Sequence, residues 1–260
     1  MLINDRNWDT LQEQFQSAEP FDHIVVDDFW TTEVAEQIVS EFPAYDSDAW
    51  NGVYKSALED KKTCNHWDRF PAMTYRAFDF LMSTGFTNCL RQVTGIEDLH
   101  GDAGLHGGGW HAHTKGGKNN IHLDYDIHPK MLKQRKINII IYMTPNWQAN
   151  WNGGLELWSH DPATQQPSEM VQLVENRFNR AVIFDTTQDS WHGLPKGLDC
   201  PEGVVRRSMA AYYLTTPQAN ATERKKALFA PYGEQANDPE VLDLIKKRAS
   251  LEQASTVYRK

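Results

Sequence analysis

Residues 137–147 read INIIIYMTPNW, followed by WNGGLELW at 151–158, FDTTQDSWHG at 184–193 and VVRRSMAAYYL at 204–214. Each run is short and rich in β-branched or aromatic residues, and glycines, prolines or polar turn residues separate them. Strands are expected at Ile137 to Thr144, Leu155 to Trp158, Ala181 to Asp185 and Val205 to Leu214. Several short strands with turn signals between them imply a β-sandwich, barrel or jelly roll.

Upstream, PFDHIVVDDFW (20–30) reads as a strand leading into a loop. Thr31 or Thr32 can cap a helix that carries Val34, Ile38 and Phe42 on one face and stops at Pro43. A longer helix is expected after Pro71, with Tyr75, Phe78, Met82, Phe86, Leu90 and Val93 at helical spacing and Gly95 closing it. Downstream, Asp238-Pro239 opens a last helix with Val241, Leu242 and Ile245 inward. The plan is one domain over 1–260: a strand and supporting helices at 20–95, a β core at 96–216 and a helical tail at 217–260.

Composition sets limits. With 40% hydrophobic and 23% charged residues the chain can bury a core. A net charge of −9 argues against a nucleic-acid partner, because phosphate binding needs a concentrated basic face. Lys225-Lys226 and Lys246-Lys247-Arg248 read as solvated helix faces. Met1 to Asp9 lack a signal-peptide core, and no run approaches the roughly 18 to 20 apolar residues of a membrane span. Cys64, Cys89 and Cys200 are odd in number and widely spaced, as free thiols in a reducing cytoplasm would be. A cytoplasmic location and no membrane partner are therefore expected.

The chemistry lies between His100 and Tyr213. Six histidines fall between His100 and His128, so density alone selects no ligand. His122 and Asp124 are alternate residues and share a face if extended. His192 lies far downstream, in SWHG. Two histidines and one carboxylate on one face of an octahedral ion form the facial triad of non-haem Fe(II) oxygenases, with the remaining positions open. Arg206 follows His192 by fourteen residues. A guanidinium clamps a carboxylate in a bidentate way, as the far end of 2-oxoglutarate requires. Arg206, Ser208, Ala210 and Tyr212 share one strand face and Arg207 the other, so a one-residue slip would exchange the two arginines.

Taken in order, His122-x-Asp124, INIIIYMTPNW, WNGGLELW, FDTTQDSWHG and RRSMAAYYL resemble the bacterial branch of the prolyl 4-hydroxylase-like 2-oxoglutarate/Fe(II) dioxygenases. GGGWH (107–111) and PFDHIVVDDFW add to the likeness, which covers about residues 20 to 216. The resemblance implies a mainly β fold, a double-stranded β-helix or jelly roll with flanking helices. It implies Fe(II) on His122, Asp124 and His192, and 2-oxoglutarate and O2 as co-substrates. Arg206 would hold the distal carboxylate of 2-oxoglutarate with Ser208 alongside; Tyr142 matches a tyrosine bonded to that carboxylate, and Asn138 is a further contact. The turn-rich insert GLPKGLDCPEG (193–203) lengthens the step from His192 to Arg206 and keeps Arg207 in play. An intact Asp124 favours hydroxylation, since related halogenases have a small residue there.

The substrate would be a small molecule, an amino acid, a sugar-linked intermediate or a prolyl peptide. Trp110, His111 and His113 are candidate pocket residues, the GGG run letting their loop approach the metal; ordinary loop packing explains them equally well. Asp126 and His128 invite a second metal, but isolated polar roles suffice. Two other functions compete: a Zn2+-dependent hydrolase on the same three ligands, which leaves Arg206 and Tyr142 without a task, and a non-catalytic jelly-roll binding module.

Overall fold

A computed structural model describes residues 2–219 and 221–257. In chain order come α1 (Asp9–Gln16), β1 (His23–Val26), α2 (Thr32–Glu41), β2 (Gly52–Lys55), β3 (Glu59–Cys64), α3 (Ala72–Met82) and α4 (Thr84–Thr94). There follow β4 (His100–Gly101), β5 (Gly109–His113), β6 (Lys118–Leu123), β7 (Gln134–Tyr142), β8 (Leu155–Asp161), β9 (Gln166–Val174), β10 (Ala181–Asp185) and β11 (Trp191–Leu194). β12 (Arg206–Thr215), β13 (Leu228–Phe229) and α5 (Pro239–Ala249) complete it. The mainly β, jelly-roll architecture expected from the sequence is what the chain adopts.

The strands pair antiparallel along one path, β1-β10-β7-β12-β5-β3-β6-β11-β8-β9, with β2 on β3, β4 on β12 and β13 on β6. Strand parity divides the sheet into two environments. From β7 and β12, Ile137, Ile139, Ile141, Met209, Ala211 and Tyr213 point into a core shared with Phe29, Trp30, Phe78, Phe86 and Leu90 of the N-terminal region. Each fully buried aliphatic or aromatic side chain there stabilises by about 1.5–3 kcal/mol. The Tyr213 hydroxyl donates to the Leu81 carbonyl at 2.9 Å, tying β12 to α3. The alternate residues Asn138, Ile140, Arg206, Ser208, Ala210 and Tyr212 line a cavity on the other face.

The structure departs from the sequence reading in two N-terminal elements, and in α5 Leu242, expected inward, is 36% exposed. The single helix expected after Pro71 is two, α3 and α4, because Ser83 is extended (φ −68°, ψ 151°). Its hydroxyl oxygen accepts the Phe86 N–H at 3.2 Å, so Ser83 caps the second helix instead of continuing the first. Tyr75, assigned to the buried face, is 47% exposed. Gly95 does end α4, in the left-handed region (φ 72°). The second departure is the hairpin β2–β3, which arises from the segment read as a strand and helices; β3 enters the sheet between β5 and β6.

Three free cysteines, Cys64, Cys89 and Cys200, are present. Among the described residues no helix is long and apolar enough to cross a membrane.

Candidate active site

β6 ends at His122 and Leu123, with Asp124 just beyond, and β11 pairs with it so that His192 lies opposite His122. The two imidazole centroids are 4.5 Å apart. One ligand atom from each of His122, Asp124 and His192 falls within 4.8 Å of the other two, and all three residues are buried.

The histidines are oriented from behind. His122 Nδ1 lies 2.8 Å from the Asn120 carbonyl oxygen and His192 Nδ1 2.8 Å from that of Ser190. A carbonyl oxygen only accepts, so each Nδ1 carries a proton and Nε2 is the nitrogen left through which a metal would be bound. Burial, with His122 adjoining, lowers the His192 pKa to about 4, which keeps it neutral near neutral pH. Burial opposes the charge on Asp124, but Arg135 and the two histidines outweigh it and hold the carboxyl well below the usual range. Asp124 Oδ1 is 3.6 Å from His122 Nε2, and Oδ2 is 3.5 Å from Arg135 Nη1.

The cavity beside this triad has a volume of about 360 Å³. Arg206 enters it from β12, with Nε donating to the Gly153 carbonyl at 2.7 Å. That bond aims the buried guanidinium and leaves its terminal nitrogens for a ligand. Arg207 takes the opposite face, its guanidinium carbon 5.8 Å from the Phe42 ring centroid, and is absent from the cavity wall. Ser208 and Asn138 are buried on the wall. Tyr142 stands beside Arg206, ring centroid 5.1 Å from the guanidinium carbon, with burial raising its pKa. It does not line the cavity, and its hydroxyl, like Asn138 Oδ1, lacks a well-formed hydrogen bond among the described residues.

His111 and His113 reach the cavity from β5, opposite Ser208 and Arg206. Burial lowers His111 to about 3 and His113 well below its ordinary value, so both are neutral. Trp110, between them, faces the opposite way into the core, its ring centroid 5.1 Å from that of Phe42. Asp126 accepts bonds from Gln134 and Thr222, while His128 accepts backbone N–H groups of Lys130 and Met131. Both are thus occupied structurally.

The sequence reading missed Arg135. Strand parity would turn Lys136, not Arg135, toward Asn138's face. A bulge reverses this: Tyr213 pairs with Ile137 and Leu214 with Arg135, leaving Lys136 extra. Lys136 then leaves the cavity to bond Asp185 at 2.6 Å, and Arg135 turns in. Lys225 and Lys226 were also misplaced: they precede β13 in irregular chain, not on a helix, and line the cavity.

The residues fit a divalent metal and a dicarboxylate. Two imidazole nitrogens and one carboxylate converge where they would hold a divalent ion, and the buried Arg206 on the same cavity wall would take a carboxylate.

Residues 108–214 match the family model described as 2OG-Fe(II) oxygenase superfamily. Over 86 residues the chain is 28% identical to prolyl 3-hydroxylase OGFOD1 of Xenopus laevis, a match covering 33% of this chain and 16% of that protein. The same protein of Mus musculus matches equally over 15% of its length, so the chain meets only about a sixth of these curated relatives. Among solved structures, a Pseudomonas putida prolyl-4-hydroxylase superposes with a TM-score of 0.57 at 13% identity, over 82% of this chain and 100% of that one. HygX from Streptomyces hygroscopicus, solved with nickel, 2-oxoglutarate and hygromycin B bound, gives 0.52 at 12% identity over 79% and 86%. At such identities the structures speak for the fold, whereas the family match spans the strands that carry the triad and Arg206. The segment that carries the triad and Arg206 is thus similar to the 2OG-Fe(II) oxygenase superfamily.

Proposed function

We propose that this chain is a 2-oxoglutarate-dependent Fe(II) oxygenase that hydroxylates an organic substrate, with residues 96–216 as its catalytic core inside one domain. The observation that carries this reading is the convergence of His122, Asp124 and His192 beside a cavity whose wall also holds the buried Arg206. Fe(II) on these ligands, with O2, supplies the oxidising chemistry in which 2-oxoglutarate yields succinate and CO2 and a substrate C–H bond becomes C–OH.

The protein's part is binding and orientation. Arg206 receives the distal carboxylate of 2-oxoglutarate, with Ser208 and Asn138 alongside. Tyr142 lies beside Arg206, and its buried hydroxyl, which lacks a well-formed hydrogen bond among the described residues, would bond the same carboxylate. Neutral His111 and His113 offer hydrogen bonds to the substrate without adding charge near the metal. Among candidate substrates the cavity's size favours a compact molecule or side chain over an extended peptide groove. A zinc hydrolase would use the same triad but gives Arg206 no role.

Anaerobic titration of the apo protein with Fe(II) and 2-oxoglutarate tests the proposal. A saturable metal-to-ligand charge-transfer band, lost in His192→Ala, is the expected result. No band, together with tight zinc binding and zinc-supported turnover, would overturn it.

A further inference from the structure

The cavity of this acidic protein is basic. Its wall carries Lys61, Arg135, Arg206, Lys225, Lys226 and Arg248 against two carboxylates, Glu59 and Asp124, in a chain of net charge −9. Most of these cations have a task. Arg135 faces Asp124; Lys61 and Arg248 both pair with Glu59, at 3.0 and 3.1 Å; and Arg206 takes 2-oxoglutarate on the reading above. Lys225 and Lys226 make no ion pair among the described residues.

Their position is fixed by contacts to the ligand strand. Just before them, Arg224 Nε donates to the Asp124 carbonyl at 2.8 Å, and the Arg224 carbonyl accepts the Asp126 N–H at 2.7 Å. Just after them, β13 pairs with β6, Phe229 opposite His122. The two lysines thus sit on a short span pinned at both ends beside the triad, both half-buried. Lys226 is held below its ordinary pKa by burial and then by Arg248, the mark of an ammonium with a like charge nearby. Crowding cations in a partly desolvated wall is unfavourable unless an anion joins them.

Resting on the oxygenase reading, we infer that the substrate carries an anionic group, a carboxylate or phosphate, which Lys225 and Lys226 bind while the carbon to be oxidised faces the triad. With 2-oxoglutarate in the same cavity of about 360 Å³, the remaining room suits a compact anion.

The test uses the full chain loaded with equimolar zinc, with and without 2-oxoglutarate, in calorimetric titrations of matched probes. O-phosphoserine and N-acetylaspartate are compared with counterparts of no net charge, serine and N-acetylasparaginamide; the charged pair tells phosphate from carboxylate. At least one charged probe is expected to bind ten times more tightly than its neutral partner. The Lys225→Gln/Lys226→Gln protein should lose at least fivefold of that affinity, and the Lys225→Arg/Lys226→Arg protein should keep it. 2-Oxoglutarate affinity should be the same in all three. Binding of neither charged probe, equal binding of neutral probes, or an unaffected glutamine variant overturns the inference. If 2-oxoglutarate fails to bind the unaltered protein, the oxygenase reading falls instead, and the probe titrations without it still judge the lysines.

Discussion

Arg135 brings Nη1 to 3.5 Å from Asp124 Oδ2 while its guanidinium carbon lies 3.5 Å from the Tyr125 ring centroid and 3.3 Å from that of Tyr212. Its Nη2 donates to the His106 carbonyl at 2.6 Å. Two aromatic faces and a carbonyl thus fix a cation behind the one anionic ligand of the triad. Such outer partners set the direction of a ligating carboxylate and typically change metal affinity 10–100-fold when removed. Arg135→Met should weaken Fe(II) binding by about tenfold or more. The apo protein should also lose about 3 kcal/mol of stability, because Asp124 is left as an unpaired buried charge. Added zinc should restore part of that loss, a response a purely structural role would not give. Arg135→Lys, lacking the planar fork, should fall between. Unchanged Fe(II) affinity in Arg135→Met would remove Arg135 from the site.

The two arginines of β12 make opposite predictions. Arg206 is buried on the cavity wall, whereas Arg207 packs toward Phe42 on the other face. Truncating one partner of a buried charge pair costs about 2–5 kcal/mol, so Arg206→Ala should raise the 2-oxoglutarate dissociation constant about 30-fold or more. Arg207→Ala should leave it within about threefold of the starting value, since lost surface packing acts on stability. Titration of both variants with 2-oxoglutarate at saturating zinc decides between them, and the reverse ranking would show that the strand face was assigned wrongly.

How much of this could be read from the chain follows from what each feature depends on. His122, Asp124 and His192 are visible because an H-x-D pair and a distant SWHG keep their identities whatever the register. Arg206 and Arg207 remained exchangeable because parity needs a pairing partner, which His113 opposite Arg206 supplies. Arg135 was hidden by the bulge at Lys136, which no alternation pattern announces. β3 was hidden because EDKKTC is charged and lacks alternation; its residues earn strand geometry from β5 and β6, not from propensity. The α3–α4 break escaped because apolar spacing continues across Ser83.

The glycine run before β5 also has a role other than the one its composition suggested. Gly109 is at φ +90°, and a Cβ there would run into the Cys64 carbonyl oxygen and approach Asn65 Cα to 2.8 Å. Gly108 would meet the Ala210 carbonyl oxygen at 2.6 Å. These glycines let β5 lie against β3 and β12, and so place His111 and His113. Gly109→Ala should therefore destabilise the protein by at least about 2 kcal/mol through backbone strain and lost pairing, read as a lower midpoint in urea. A variant as stable as the original would show that β3 can move aside freely.

The C-terminal helix bears on the metal site through one aromatic ring. Val241 of α5 is buried with Leu58 and Phe229, and the Phe229 ring centroid lies 5.2 Å from that of His122. Asp238 caps this helix, its carboxylate accepting the Glu240 N–H at 2.9 Å, so the helix is well started, and its apolar contact and the Arg248–Glu59 pair dock it. Val241→Asp places an unpaired carboxylate in that contact, which costs about 2 kcal/mol or more and should release α5 from β13. Limited proteolysis should then cut within residues 239–249, and the melting temperature should fall. Freed of its brace, Phe229 should hold His122 less firmly, so zinc affinity should drop several-fold while Val241→Leu stays near the original. Proteolytic release with unchanged zinc affinity would show that His122 depends on its Nδ1 bond to Asn120 alone; resistance to cleavage would show that α5 is held by Arg248 and Glu59 instead.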